Sequence, residues 1–468
     1  MNKKLAVLLA ITAVGLSSCH PKTVSPQGEE QAETDSTSVV APPVGNNDSE
    51  DSKGTVSSTF TGTVDYDKYF TSERLRLDFV LAGDSRTQSA YLSELHKECE
   101  WAGSPNSLID RFGYGQYFFE AFAGRKLIYS KGFSTLFEEW RTTPQAKTTP
   151  MAANQTVWMP FPKQKIHVVL YQRFRETGKF EKFFECDVDP EDTHIIPGPE
   201  NNYSVKALML NGGHENKVDL VFAGEAYTKD QLPKLRKDAM RMMEYLFSLE
   251  PYKHRRSDFN VYLIESVSED GGVDIPNHGQ WRNTVMDSSF DTFYEDRYLT
   301  IMNHQKIASV YSGVPFDALF IIANETKYGG GGIYGSYAMG TSDNELSDVV
   351  FVHEFGHSFA GLGDEYYTSA VAYEDYYPAG VEPWEPNITT LVDFDSKWAD
   401  MIAEGTPVPT PNDPDKYYGT VGVFEGAGYM AKGCYRPYFE CRMINNTAPG
   451  FCPVCQRAIE AMIDYYVD

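Results

Sequence analysis

A chain of 468 residues with a net charge of −25, from 41 Lys and Arg against 66 Asp and Glu, is long enough for two or three domains. Its 41% hydrophobic and 23% charged residues are ordinary globular proportions, which excludes a collagen-like, coiled-coil or wholly disordered chain. The acidity argues against a nucleic-acid partner, because phosphate binding calls for a basic surface.

Lys3 and Lys4 precede an apolar and small-residue run, Leu5 to Leu16, too short to cross about 30 Å of hydrocarbon as a helix. It reads as an export signal. Leu16-Ser17-Ser18-Cys19 closes the run and resembles the lipobox of bacterial lipoproteins. That resemblance implies a signal peptide over 1–18, lipidation of Cys19 as a membrane anchor, and an exported chain held on the cell envelope. His20 rather than Asp after the cysteine points to the outer membrane or cell surface. Residues 19–59 are rich in Ser, Thr, Pro, Gly, Glu and Asp with almost no aromatics, so they cannot offset their ordering entropy and read as a disordered tether.

Residues 60–199 carry short β-like runs: Leu75 to Leu81 and Ile166 to Leu170 alternate, and Tyr117 to Phe122 and Lys126 to Tyr129 flank a turn at Ala123-Gly124-Arg125. Successive hairpins without helical periodicity predict a β-sandwich, in which nothing looks catalytic. From 200 the rhythm changes. Val218 to Ala223, Phe259 to Ile264 and Ala318 to Ala323 read as strands, Lys229 to Leu249 and Tyr298 to Tyr311 as helices, so residues 200–468 form an α/β domain. The fold class is therefore α+β and multidomain. Gly329 to Gly332 is a substrate-gating loop or a plain connector.

The chemistry is concentrated in Ser347 to Tyr366. On a helix, His353 and His357 lie one turn apart on one face and can share a metal ion, while Glu354, one position away, stands beside the open coordination position as a general base. Gly361 and Gly363 stop that helix. Catalytic zinc wants a third protein ligand. Metzincins supply one six residues after the second histidine, which falls here on Gly363; since the helix-ending glycine is also one place late, Asp364 is the expected ligand and Glu365 the alternative. Cys434, Cys441, Cys452 and Cys455 crowd the C-terminus. An oxidising, exported setting favours disulfides there over structural zinc, although Cys452 and Cys455 have the short spacing of a zinc knuckle.

The pattern His353-Glu354-x-x-His357-x-x-x-Gly361-Leu362-x-Asp364-Glu365-Tyr366 resembles that of the IgA-peptidase family of bacterial zinc metallopeptidases. The resemblance implies a metzincin-like catalytic domain behind an all-β domain, one catalytic Zn²⁺, and hydrolysis of peptide bonds in protein or glycoprotein substrates, host-derived ones included. It implies that water polarised by the ion gives its proton to Glu354, and that Met443, in Glu440 to Asn445, forms a methionine turn beneath the metal; ordinary core packing is the other reading of Met443. Tyr334 and Tyr366 are candidates to stabilise the transition state. A different function class also fits the sequence: a glycan- or protein-binding surface lipoprotein with a non-catalytic metal site.

Overall fold

Alternation in Leu75-Arg76-Leu77-Asp78-Phe79 sends the apolar side chains to one face and the charged ones to the other, the period of a strand. A computed structural model describes residues 63–367 and 377–468; the export signal, Cys19 and the tether lie outside them. A single turn, α1 (Tyr66–Tyr69), leads into β1 (Phe70–Gly83) and β2 (Gln88–Glu100), then the hairpin β3 (Tyr117–Ala123) and β4 (Lys126–Phe133). A short helix, α2 (Leu136–Arg141), precedes β5 (Met151–Pro162), β6 (Ile166–Arg173), β7 (Phe180–Val188) and the two-residue β8 (Ile196–Pro197). The strands form two four-stranded sheets, ordered β5-β1-β2-β8 and β4-β3-β6-β7. Leu75, Leu77, Phe79, Val157 and Met159 of the first share one core with Phe119, Ile128, Val168 and Leu170 of the second, which makes this an N-terminal β domain of two facing sheets.

The other face of β1 is not solvated. Arg74, Arg76 and Asp78 are all buried. Arg74 pairs with Glu98 at 2.7 Å and donates to the carbonyls of Val314 (3.2 Å) and Tyr311 (3.3 Å), and Arg76 joins Asp78 and Glu200, both at 2.6 Å. These charges, paired and hydrogen-bonded as burial requires, attach the β domain to the C-terminal half of the chain. All described residues fall in one compact unit.

The second half is built on a six-stranded sheet: β9 (Val205–Met209), β10 (Val218–Glu225), β11 (Phe259–Ile264), β12 (Ala318–Ala323), β13 (Gly330–Ile333) and β14 (Tyr337–Thr341), ordered β13-β14-β12-β10-β11-β9. The four inner strands are parallel and the two edge strands antiparallel. Both faces are covered, which explains the unbroken apolar run in β10. Leu220 and Phe222 face the helices α3 (Leu232–Leu246), α5 (Ser347–Ala360) and α7 (Pro453–Val467). Val221 and Ala223 face α4 (His304–Tyr311) and the segments before it. Between α5 and α7 lie a single turn, α6 (Pro414–Tyr417), and a hairpin of β15 (Phe424–Ala427) and β16 (Met430–Arg436).

Two expectations are corrected. The helix expected from Tyr298 begins only at His304. Leu299 and Ile301 are drawn into the core beneath the sheet, and the Tyr337 hydroxyl bonds both the N–H (2.9 Å) and the carbonyl (3.1 Å) of Ile301, holding it extended. The glycine run is neither gate nor connector: Gly330–Ile333 is the edge strand β13, laid directly on α5. A Cβ at Gly332 would stand 2.2 Å from the Glu354 carbonyl oxygen and 2.9 Å from His357 Cβ, so only glycine permits the approach.

Candidate metal centre and active site

The helix α5 buries Val350, Phe351, Val352 and Phe355 against the sheet and turns His353, Glu354 and His357 toward a cavity of about 470 Å³. Gly361, at φ 65°, ends it in the left-handed conformation and reverses the chain over the histidines. Extended backbone from Leu362 then carries Asp364 back to them. Its Oδ1 lies 3.0 Å from His353 Nε2 and 3.3 Å from His357 Nε2, and the two Nε2 atoms are 3.0 Å apart. A tetrahedral ion about 2.0–2.1 Å from each donor would give edges of about 3.3 Å, so the donor set fits one divalent cation.

The histidines are aimed by their other nitrogens. His353 Nδ1 donates to the Arg442 carbonyl at 3.0 Å and His357 Nδ1 to the Leu362 carbonyl at 2.5 Å, which leaves both Nε2 atoms free to ligate. Tyr429 donates to Asp364 Oδ2. Burial disfavours charge on His357, but the Asp364 carboxylate outweighs it and lifts the imidazole to about 9. Burial likewise opposes the Asp364 charge, and the two imidazoles overcome it, holding the carboxyl far below its ordinary range. Burial pushes Glu354 upward, against the pull of both imidazoles.

Glu365 goes elsewhere. Neighbouring side chains on extended backbone point to opposite sides, so Glu365 turns away from the histidines and into a buried cluster with Cys441, Cys452 and Cys455. It is not the third member of the histidine site. Asn387, unnoticed in the sequence, clamps this stretch: its side chain accepts from Gly363 N–H (2.7 Å) and donates to the Gly363 carbonyl and Glu365 Oε1 (both 2.9 Å). Gly363 itself sits on Ile388, where a Cβ would come within 2.5 Å. No disulfide joins the described cysteines, contrary to the expectation. Cys434 lies in a separate small core with Tyr377, Ile388 and Ala427, and the other three thiols meet around one point, where pairing two would strand the third.

Met443 is fully buried under α5. Its sulfur lies where a Cβ on Gly356 would come within 3.2 Å, and its carbonyl accepts the Glu365 N–H at 2.9 Å. Tyr366 stacks on the His353 ring at 6.5 Å between centroids, and burial, with Asp364 adding to it, holds its phenol protonated. Tyr334 also lines the cavity, wedged between Tyr114 and Trp384.

The β domain supplies a wall that the sequence did not suggest. Gln116, Thr135, Glu138 and Glu139 line the cavity opposite α5, and Tyr298 OH bonds Glu139 at 2.6 Å. A signal was present: Thr135-x-x-Glu138 has capping-box spacing, and Thr135 Oγ1 accepts the Glu138 N–H at 3.0 Å.

Comparison with known proteins bears on both halves. No curated protein matches the chain. The model of the family described as IgA Peptidase M64 matches residues 207–418 and 412–463, and that of the Peptidase M64 N-terminus matches 65–185. Peptidases of this family are metallopeptidases, in keeping with the convergent histidines and aspartate. With more than half of its length matched, the chain belongs to the IgA Peptidase M64 family and is a peptidase.

Proposed function

We propose that the chain is a zinc metalloendopeptidase, exported and lipid-anchored through Cys19, that cleaves peptide bonds in proteins or glycoproteins. The observation that carries this reading is the meeting of His353 Nε2, His357 Nε2 and Asp364 Oδ1 within 3.0–3.3 Å on the wall of a cavity that Glu354 also lines. Zn²⁺ held by these three would act as a Lewis acid toward water and the scissile carbonyl.

Glu354 falls outside the donor group and lines the cavity beside the histidines. Its raised proton affinity suits a group that takes a proton from attacking water and returns it to the leaving amine. Tyr366, protonated and stacked on His353, is positioned to donate a hydrogen bond to the carbonyl oxygen as charge develops there. Gly330, Gly331 and Gly332 of the edge strand β13 also line the cavity, where an extended peptide can run beside the strand. The metzincin-like character of the site is supported by Met443 beneath the helix and by the Arg442 carbonyl that orients His353. The anchor rests on the Leu16 to Cys19 pattern, and no helix among the described residues is long and apolar enough to cross a membrane.

Glu354→Gln tests the assignment. Hydrolysis of a protein substrate should fall by at least about 10²-fold while metal content stays at the wild-type level. Wild-type turnover in that variant would remove Glu354 from the mechanism.

A further inference from the structure

The buried cluster behind the catalytic helix has the makings of a second metal site. Ligand atoms of Glu365, Cys441, Cys452 and Cys455 all lie within 4.8 Å of one another, and all four residues are at most 2% exposed. We infer that these four residues bind a structural zinc ion, separate from the one held by His353, His357 and Asp364.

Several observations point the same way. Sulfurs bound to a tetrahedral zinc at about 2.3 Å stand about 3.8 Å apart. Cys441 Sγ and Cys455 Sγ are 3.7 Å apart, far beyond a disulfide bond of about 2.05 Å. Cys452 and Cys455 occupy the N-cap and third position of α7, a fifteen-residue helix whose N-terminal dipole favours thiolates. The Cys452 N–H donates to Cys441 Sγ at 3.3 Å, a backbone bond of the kind that supports a ligating sulfur. Glu365 provides an independent sign. Its Oε1 takes the Asn387 amide at 2.9 Å and the Cys455 thiol at 3.0 Å, while its fully buried Oε2 has no hydrogen-bond partner among the described residues. An orphaned carboxylate oxygen on a buried residue grouped with three thiols is costly unless a cation completes the group. The set is closed, with four protein donors and no open position, which marks a structural rather than a catalytic ion. Soft thiolates select zinc over magnesium or calcium.

The site would staple three separate pieces: the segment after Gly361, the Met443 turn and the start of α7. Since Glu365 follows Asp364 directly, the second ion would also fix the backbone that presents Asp364 to the first. The assignment does not depend on peptide hydrolysis.

Elemental analysis of the purified chain lacking residues 1–18 should give two zinc ions per molecule. A His353→Ala/His357→Ala variant should retain one, and when reloaded with Co²⁺ it should show thiolate-to-metal charge-transfer absorption in the near ultraviolet. Cys452→Ser/Cys455→Ser should lose one zinc equivalent and unfold at lower temperature. Because that variant is at risk of misfolding, thiols of the wild-type chain should also be titrated in denaturant without reductant. Cys441, Cys452 and Cys455 should all react there as free thiols, and in the native chain they should be labelled only after chelation. A histidine variant devoid of zinc, absence of the charge-transfer band, or peptide mapping that finds two of the three cysteines in a disulfide would overturn the second site.

Discussion

Asp364 and Glu365 are adjacent acids with opposite destinations, one at two imidazoles and the other among three thiols. Removing the first should empty the catalytic site alone. Asp364→Ala is expected to lower bound zinc by about one equivalent with at least about tenfold weaker affinity, measured by elemental analysis after mild dialysis. Unchanged zinc would displace Asp364 from the ligand set. The histidines and Glu354 could be read from the sequence because helical periodicity alone decides their geometry. Asp364 was reachable only through a register argument. The partners of Glu365 and the clamp at Asn387 depend on segments far away in sequence, which no local pattern encodes. His304 was equally hidden. Burial, with the charge of Arg76 adding to it, lowers its imidazole to about 3. An unfolded histidine titrates near 6.5, so between these values the unfolded chain binds the extra proton. Stability from this source is complete above pH 6.5 and is lost as pH falls from there through about 3, at up to about 1.4 kcal/mol per pH unit. His304→Gln, which keeps a polar group for Ser336, should flatten the acid limb of a denaturation series by up to one proton; an unchanged slope would refute the linkage.

At the scale of elements, β13 and α5 behave as one part. The strand approaches the helix so closely that Gly332→Ala must displace the Glu354 carbonyl or the His357 side chain. A cost of about 1–3 kcal/mol is expected, with a fall in kcat that exceeds any change in zinc content. Thermal unfolding and elemental analysis together check this; a variant as stable and active as wild type would mean the strand has room to shift. The strands β1, β3, β10, β11 and β12 and the helices α3 and α5 were legible because their apolar residues keep one period from end to end. Six-residue α2 was not, being too short to display a period, and the glycine run misled because glycine signals looseness and close approach alike.

For the whole molecule, the cleft has walls from both matched regions. Residues 200–468 alone lack Thr135, Glu138 and Glu139 and would leave the carbonyls of Tyr311 and Val314 without Arg74. That fragment should be poorly soluble and at least about 10²-fold less active than the full chain, as size-exclusion chromatography and peptide cleavage would report. Full activity from the fragment would show the β domain to be dispensable. What the sequence could not reveal at this scale was the fate of the second face of β1: Arg74, Arg76 and Asp78 alternate like solvated residues, and only tertiary structure shows them inside.

Those arginines set how the two walls can move. Oily surfaces in contact slide past one another at little cost, whereas a guanidinium locked onto named carbonyls and carboxylates tolerates one alignment and resists shear. The slot between β domain and catalytic helix should therefore keep a set width, and on the proposed function it is expected to admit slack, extended chain in preference to folded surfaces.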